Sequence, residues 1–116
     1  MSYIELTENI YRGFLDKAVT MAENLSPVEL YEAISDKAYE TKDILFYGFM
    51  VQILFTRPQS QLADLHFNAA LLLSVQLCQI PGAYDLAEYH VHKALSLSPD
   101  HEEYQKYLAH LKTVPR

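Results

Sequence analysis

The sequence contains a single cysteine, Cys78, in a chain of 116 residues, so no disulfide can form within it. A lone thiol in an apolar run is typical of a small core residue in a reducing compartment. Basic residues are also scarce: nine Lys and Arg accompany fifteen Asp and Glu, which gives a net charge of −6. Because phosphates would be repelled, this balance argues against nucleic acid and anionic lipid and favours a basic partner.

No hydrophobic run is long enough to cross a membrane. The most apolar stretch extends from Ile44 to Phe55 and is interrupted by Gly48 and Gln52, whereas a membrane-spanning helix needs about 20 residues. The N-terminal segment also lacks the basic and then apolar pattern of a secretory signal. We therefore expect one globular domain, residues 1–116, located in the cytoplasm and without a membrane partner.

Catalytic patterns are sparse. The three glycines are isolated from one another, so the chain has no glycine-rich phosphate-binding loop. No Ser, Thr or Cys lies near a recognisable base motif, and His66 is expected to be a buried, hydrogen-bonded histidine. The best metal-binding constellation is Asp85, Glu88 and His92 on one predicted helix, but a further ligand is not visible. We expect a protein that is not an enzyme and needs no cofactor, with a small helical metal-dependent hydrolase as an alternative.

What the sequence does contain is helical periodicity between well-spaced prolines, with no sustained alternation of the strand type. This pattern predicts an all-α fold of about six antiparallel helices with short connections. The predicted helices cover about residues 3–24, 27–41, 42–56, 60–79, 83–97 and 99–113. The boundary between the second and third helices is weak, so these two are either separate or one long bent helix.

Three of the predicted helix starts have capping signals. Ser26 is followed by Pro27 and, three residues after the serine, by Glu29, which is the capping-box pattern with proline at the first helical position. Ser2 and Glu5 form the same box at the first helix. For the sixth helix, Ser98 and Pro99 are expected to supply the cap and the first residue.

The segment from Leu71 to Pro99 resembles a tetratricopeptide repeat. A glycine stands at the hairpin turn, an aromatic residue follows two positions later, and small and bulky apolar residues alternate up to a closing proline. The matching residues are Leu71, Gly82, Tyr84, Ala87, Val91, Ala94, Leu95 and Pro99. Ser74, Val75 and Cys78 depart from the pattern. The resemblance implies a right-handed array of helical hairpins, in which the last helix serves as a capping helix.

In tetratricopeptide proteins, the first helix of each hairpin lines a concave groove that takes peptides or protein segments. The resemblance assigns this role to the second and fourth predicted helices. The corresponding positions of the fourth helix are Ala69, Leu72, Gln76 and Gln79, of which Leu72 and Gln76 are candidate partner-binding residues. These positions lack the Lys and Arg clamp of some tetratricopeptide co-chaperones, which disfavours that subclass.

Acidic residues follow one side of the second predicted helix. Their spacings of 3, 4, 4 and 3 place them on one stripe, which consists of Glu29, Glu32, Asp36, Glu40 and Asp43. Carboxylates at i and i+4 repel each other by about 0.2–0.5 kcal/mol, so stability alone would favour interleaved lysines. The stripe is either a solvated face or a surface that binds a basic partner. Tyr39, which lies on the same helix but outside the stripe, is a further candidate residue of that binding surface. It shortens to four residues if the helix ends before Asp43.

These observations favour a non-catalytic protein-protein interaction module whose acidic surface meets another, basic protein. Small acidic proteins of this kind are similar to immunity proteins and antitoxins, which block basic toxins such as nucleases. A chaperone or adaptor for a secretion or signalling partner is the second interpretation. The metal-dependent hydrolase is the third, and zinc or manganese dependence lost in His92→Ala would distinguish it.

Overall fold

Helices account for all regular secondary structure in the described part of the chain, residues 3–116 of a computed structural model. The all-α prediction is confirmed, although the helices are more numerous than predicted. Seven α-helices and one π-helical turn are formed in this range: α1 (Ile4–Tyr11), α2 (Leu15–Met21), α3 (Pro27–Thr41), α4 (Leu45–Thr56), α5 (Gln59–Leu71), the π turn (Leu72–Gln76), α6 (Ala83–Leu97) and α7 (Glu102–Lys112). Within it, no helix has both the length and the apolar composition of a membrane span.

The first predicted helix is divided into two, because Gly13 ends α1. Gly13 adopts φ +84°, a left-handed conformation that favours glycine. The backbone N–H of Gly13 donates to Ile10 O and that of Phe14 donates to Asn9 O, both at 2.9 Å, which is the Schellman arrangement of a helix C-terminus. As a result the apolar residues of the predicted helix 3–24 do not share one continuous face, and Phe14 and Met21 are exposed.

The predicted capping box at α3 is confirmed. Ser26 Oγ accepts from the backbone N–H of Glu29 at 3.2 Å, and the backbone N–H of Ser26 donates to Glu29 Oε1 at 3.0 Å. Pro27 follows as the first helical residue. The corresponding prediction for Ser2 and Glu5 includes a residue outside the described range.

Helices α3 and α4 are separate, so the alternative of one bent helix is wrong. Lys42 adopts φ +56° and ends α3, with its backbone N–H donating to Ala38 O at 2.8 Å. Asp43 then accepts at Oδ1 from the backbone N–H of Leu45 at 2.9 Å, at the start of α4. Asp43 therefore belongs to the connection, and the acidic stripe on α3 contains four residues.

The fourth predicted helix ends earlier than expected, because a π turn follows Leu71. In this turn Ser74 Oγ donates to Ala70 O at 2.7 Å and contacts the hydroxyl of Tyr107 on α7. Side-chain bonds of this kind to a carbonyl four residues back often distort a helix. Cys78 lies beyond the turn and is exposed, so the prediction of a core cysteine is wrong.

The last helix begins at Glu102 rather than at Pro99. The side chain of His101 accepts from the backbone N–H of Tyr104 at 3.4 Å and is the N-cap of α7. The Ser98–Pro99 cap was therefore wrongly predicted. His101 also stacks on the ring of Tyr104, with ring centroids 3.6 Å apart. This contact favours the histidine at the N-cap position.

Helix α5 lies between two apolar clusters and contributes to both. Leu65 faces the N-terminal cluster, whereas Phe67 and Ala70 face the C-terminal one. The largest fully buried residues of the N-terminal cluster are Ile10, Leu30, Ile34, Phe46, Phe49, Met50, Ile53, Leu65, Leu72 and Leu77. The C-terminal cluster includes Leu73, Ala87, Val91, Ala94, Tyr104 and Leu111. Through α5 the two clusters form one continuous body.

The C-terminal half carries features that the repeat resemblance explains. Gly82 adopts φ +83° at the turn before α6, and Ala87 and Ala94 are fully buried in the cluster that α6 forms with α5. However, residues 77–82 form turns where the resemblance places the end of a regular helix. The tetratricopeptide assignment therefore stays a prediction.

Candidate functional site

The four acidic residues of α3 are all exposed, but two of them already have structural partners. Glu29 closes the capping box, and its bonds to Ser26 lower its pKa. Glu40 Oε1 lies 3.6 Å from Lys37 Nζ. The carboxylates of Glu32 and Asp36 form no hydrogen bond or ion pair with residues 3–116. These two are therefore the acids of the stripe that local structure does not explain.

Tyr39, the predicted aromatic member of the site, is exposed on α3. The ammonium group of Lys42 lies 3.5 Å from the centroid of its ring, a cation–π arrangement. This contact places a positive charge beside the ring. The surface around Tyr39 is therefore less negative than the acidic residues of the sequence indicate.

The two candidates from the fourth predicted helix are not on a groove. Leu72 is fully buried in the N-terminal cluster. Gln76 is buried as well, and its Oε1 accepts from the hydroxyl of Tyr31 at 3.0 Å. Both residues lie in the π turn and are buried, so neither side chain is available to a partner.

A groove does lie between α3, α5 and α7, and it has a volume of about 300 Å³. Three carboxylates line it, one from each helix: Glu32, Asp64 and Glu103. Val28 and Leu71 add apolar surface. Among the described residues, no Lys, Arg or His lines this groove. We call it the acidic groove.

Aromatic rings form the inner wall of the acidic groove. Phe67 and Tyr104 pack with ring centroids 4.6 Å apart, and Tyr31 lies beside them on α3. The hydroxyl of Tyr104 donates to Asp64 Oδ1. Burial, and then this bond to Asp64, raises the pKa of Tyr104. The wall is therefore uncharged, and the negative charge stays at the rim.

The candidate metal constellation is occupied by an arginine. Arg116 Nη1 lies 2.6 Å from Asp85 Oδ1 and 2.7 Å from Glu88 Oε2. The bond to Arg116 is the main reason why the pKa of Glu88 is lowered. Across the described range, no group of three His, Cys, Asp or Glu side chains is arranged to hold a metal ion. Asp85, Glu88 and His92 are therefore not brought together as ligands.

A hydrogen-bonded cluster of Tyr47, His66 and His90 was not found from the sequence. The hydroxyl of Tyr47 lies 2.7 Å from His90 Nε2, and His90 Nδ1 lies 3.0 Å from His66 Nδ1. His66 is hydrogen-bonded, as predicted, but it is half-buried rather than buried. His90, which was not a candidate in the sequence, is 3% exposed. The available signal was its position three residues after the buried Ala87, on the same face of α6.

This cluster lies at a second hollow, of about 370 Å³, between α4, α5 and α6. We call it the histidine cavity. Burial, and then the nearby His66, lowers the pKa of His90 to about 4. Burial, and then the charge of Lys93, lowers the pKa of His66. Both rings are therefore neutral near pH 7.

Comparisons with family models, curated proteins and solved structures give no match for this chain. Its function is therefore inferred from its own surfaces. The acidic groove presents negative charge beside an apolar surface. The histidine cavity presents neutral polar atoms within an apolar wall. Neither is arranged like a site for nucleophilic or metal-assisted hydrolysis.

Proposed function

We propose that this protein is a non-catalytic binding module whose acidic groove takes a basic segment of another protein. The observation that supports this most strongly is the convergence of Glu32, Asp64 and Glu103 from three separate helices onto one apolar groove. These three residues are far apart in the chain and meet only in the folded protein. No basic side chain is among the described residues that line the groove. A local solvated helix face would not require that convergence.

The chemistry of the groove suits Lys and Arg side chains. Their aliphatic stems can pack on Val28 and Leu71, while the charged ends reach the rim carboxylates. Asp36, one turn after Glu32 on α3, extends the negative surface outward. With a net charge of −6, the protein also attracts a basic partner over distance, which increases the association rate more than the final affinity.

Two biological versions use the same surface. In the first, the protein is an immunity protein or antitoxin that covers a basic toxin; the small size and the acidic charge favour this version. In the second, it is a chaperone or adaptor that holds a basic segment of a secretion or signalling partner. A neighbouring reading frame that encodes a basic toxin domain would favour the first, and loss of toxin activity on mixing would test it.

The test compares three double charge reversals that change the net charge equally. Glu32→Lys with Glu103→Lys alters the groove, Asp36→Lys with Glu40→Lys alters the outer ridge, and Asp16→Lys with Glu23→Lys alters exposed acids elsewhere. The probe is a fluorescent synthetic peptide of alternating lysine and leucine, with binding measured by anisotropy. We expect the groove variant to bind the peptide at least tenfold more weakly than the Asp16 and Glu23 variant. Both variants change the long-range field by the same amount, so this difference measures the contacts in the groove itself.

All of these positions are exposed, so far-ultraviolet circular dichroism should stay unchanged. Equal weakening in the three variants would show that net charge alone acts, and the groove proposal would be rejected. A larger loss in the ridge variant would move the site to the outer face of α3. Capture of a basic protein from native cytosol, followed by mass spectrometry of wild type against the groove variant, then identifies the partner.

A further inference from the structure

The histidine cavity combines an apolar wall with exposed aromatic residues at its rim. Val51, Leu54 and Leu62 form the wall. At the rim, the side chain of Phe55 is 82% exposed and that of Tyr89 is 51% exposed. Large apolar side chains in water beside a hollow of ligand size are typical of a binding site, because a ligand would remove them from water.

The polar groups at this cavity leave one nitrogen available. A single proton lies between His66 Nδ1 and His90 Nδ1 when both rings are neutral, and His90 Nε2 is bonded to Tyr47. If His90 holds that proton, Tyr47 donates to His90 Nε2 and His66 carries its own proton on Nε2. In that arrangement His66 Nε2–H is a donor without an intramolecular acceptor in residues 3–116. A bound carboxylate would accept from this donor and would favour this tautomer over the one in which His66 Nε2 has only a lone pair.

The charge that acts on this cavity is that of Lys93, which lies close enough to His66 to lower its pKa. No carboxylate is among the described residues that line the cavity. Lys93 is not itself a lining residue, but its ammonium group lies 5.5 Å from the ring centroid of Tyr89, which is one. The titratable groups around His66 are Tyr47 on α4, together with Tyr89, His90 and Lys93 on α6. An anion would meet donors and positive charge here and no opposing carboxylate.

We propose that the histidine cavity binds a small amphipathic carboxylate, whose apolar body packs between Phe55 and Tyr89 and whose carboxylate contacts His66 Nε2 and Lys93 Nζ. The cavity shares no lining residue with the acidic groove. This proposal therefore does not rest on the proposed protein-binding function. The two sites differ in the sign of charge that they accept.

The binding test uses octanoate as the probe and octanamide as the matched uncharged ligand, with calorimetry for affinity. We expect octanoate to bind at least tenfold more tightly than octanamide, because only the acid carries the charge that Lys93 attracts. Phe55→Ala and Lys93→Gln should each weaken octanoate binding about fivefold. Phe14→Ala, which changes an exposed phenylalanine elsewhere, should leave it unchanged.

Histidine NMR locates the ligand. Octanoate should shift the ring resonances of His66 and His90 but not those of His92, His101 and His110, which do not line the cavity. Because the anion favours the protonated form of His66, affinity should rise as the pH falls from about 8 to about 6. His66→Gln should abolish that rise. No shift with millimolar octanoate, equal binding of octanamide, or equal shifts of all five histidines would each overturn the proposal.

Discussion

His90 shows how burial determines the state of a residue. Both of its ring nitrogens have partners, Tyr47 on one side and His66 on the other, and the ring is 3% exposed. Protonation would place a charge in this enclosed site, away from water. The folded protein therefore favours the neutral ring.

We predict that His90 makes stability depend on pH. Its pKa is about 4 in the folded protein against 6.5 in the unfolded chain, so the unfolded state takes up the proton first. This contribution is fully present above about pH 6.5 and is lost as the pH falls towards about 4. The loss is on the order of 3 kcal/mol, and His66 adds to it in the same direction. Urea unfolding between about pH 7.5 and pH 5 should show about 2 kcal/mol of this loss.

The pKa of His90 can be measured independently from the ring resonances of the folded protein. A value at or above 6.5 would contradict the prediction. The carboxylates with lowered pKa, Glu29 and Glu88, also destabilise the protein on acidification. Their protonation begins near the ordinary carboxyl pKa of about 4, so the upper part of the pH range reports mainly on the histidines.

At the scale of the elements, one side chain holds the end of α2 against the connection between α4 and α5. Arg57 Nη1 donates to Leu25 O at 2.6 Å, and Nη2 donates to Ala22 O at 2.8 Å. Carbonyl groups at a helix C-terminus have no partner within the helix. Arg57 donates to one such group, that of Ala22, and to the carbonyl of Leu25 in the connection that follows α2. Gln61 Oε1 accepts from Arg57 Nη1 at 3.0 Å.

We predict that Arg57→Met lowers the free energy of unfolding by about 2 kcal/mol, because two partly buried carbonyl groups lose a charged donor. The matched control is Arg12→Met. Among the described residues, Arg12 forms only an exposed pair with Glu8, at 3.2 Å, and such pairs contribute little. Urea denaturation of both variants provides the measurement. Equal effects of the two substitutions would contradict the role assigned to Arg57.

Helix positions could be predicted from the sequence better than helix ends. The start of α3 at Pro27 was predicted because its cap uses residues three positions apart. The break at Gly13 was missed because the apolar spacing continues across it, and the start of α7 was missed because a histidine caps it. Cys78 is exposed just beyond the π turn, in which Ser74 contacts the hydroxyl of Tyr107, 33 residues away.

At the scale of the whole molecule, sequence periodicity identified only part of the candidate sites. Glu32 was found because its partners on the stripe lie on the same helix. Asp64 and Glu103 join it from other helices, and no local spacing relates them. The same reason hides the pairing of Tyr47 with His90, which are 43 residues apart. Sites assembled across elements require the tertiary structure.

The position of α5 between the two clusters has a consequence for unfolding. Because α5 contributes side chains to both, neither cluster can open without exposing part of the other. We therefore expect the described body to unfold as one cooperative unit, as small single domains usually do. Ile10 on α1 is fully buried in the N-terminal cluster, and Leu111 on α7 is fully buried in the C-terminal cluster.

We predict that Ile10→Ala and Leu111→Ala each destabilise the whole protein by about 2–5 kcal/mol, since each leaves a cavity in a packed core. In hydrogen exchange, Leu111→Ala should lower the protection of the slowest amides of α4 as much as that of α6. Val28→Ala, at an exposed position, is the control and should change neither. If Leu111→Ala affected only α6 and α7, the two clusters would be independent folding units, and α5 would not couple them.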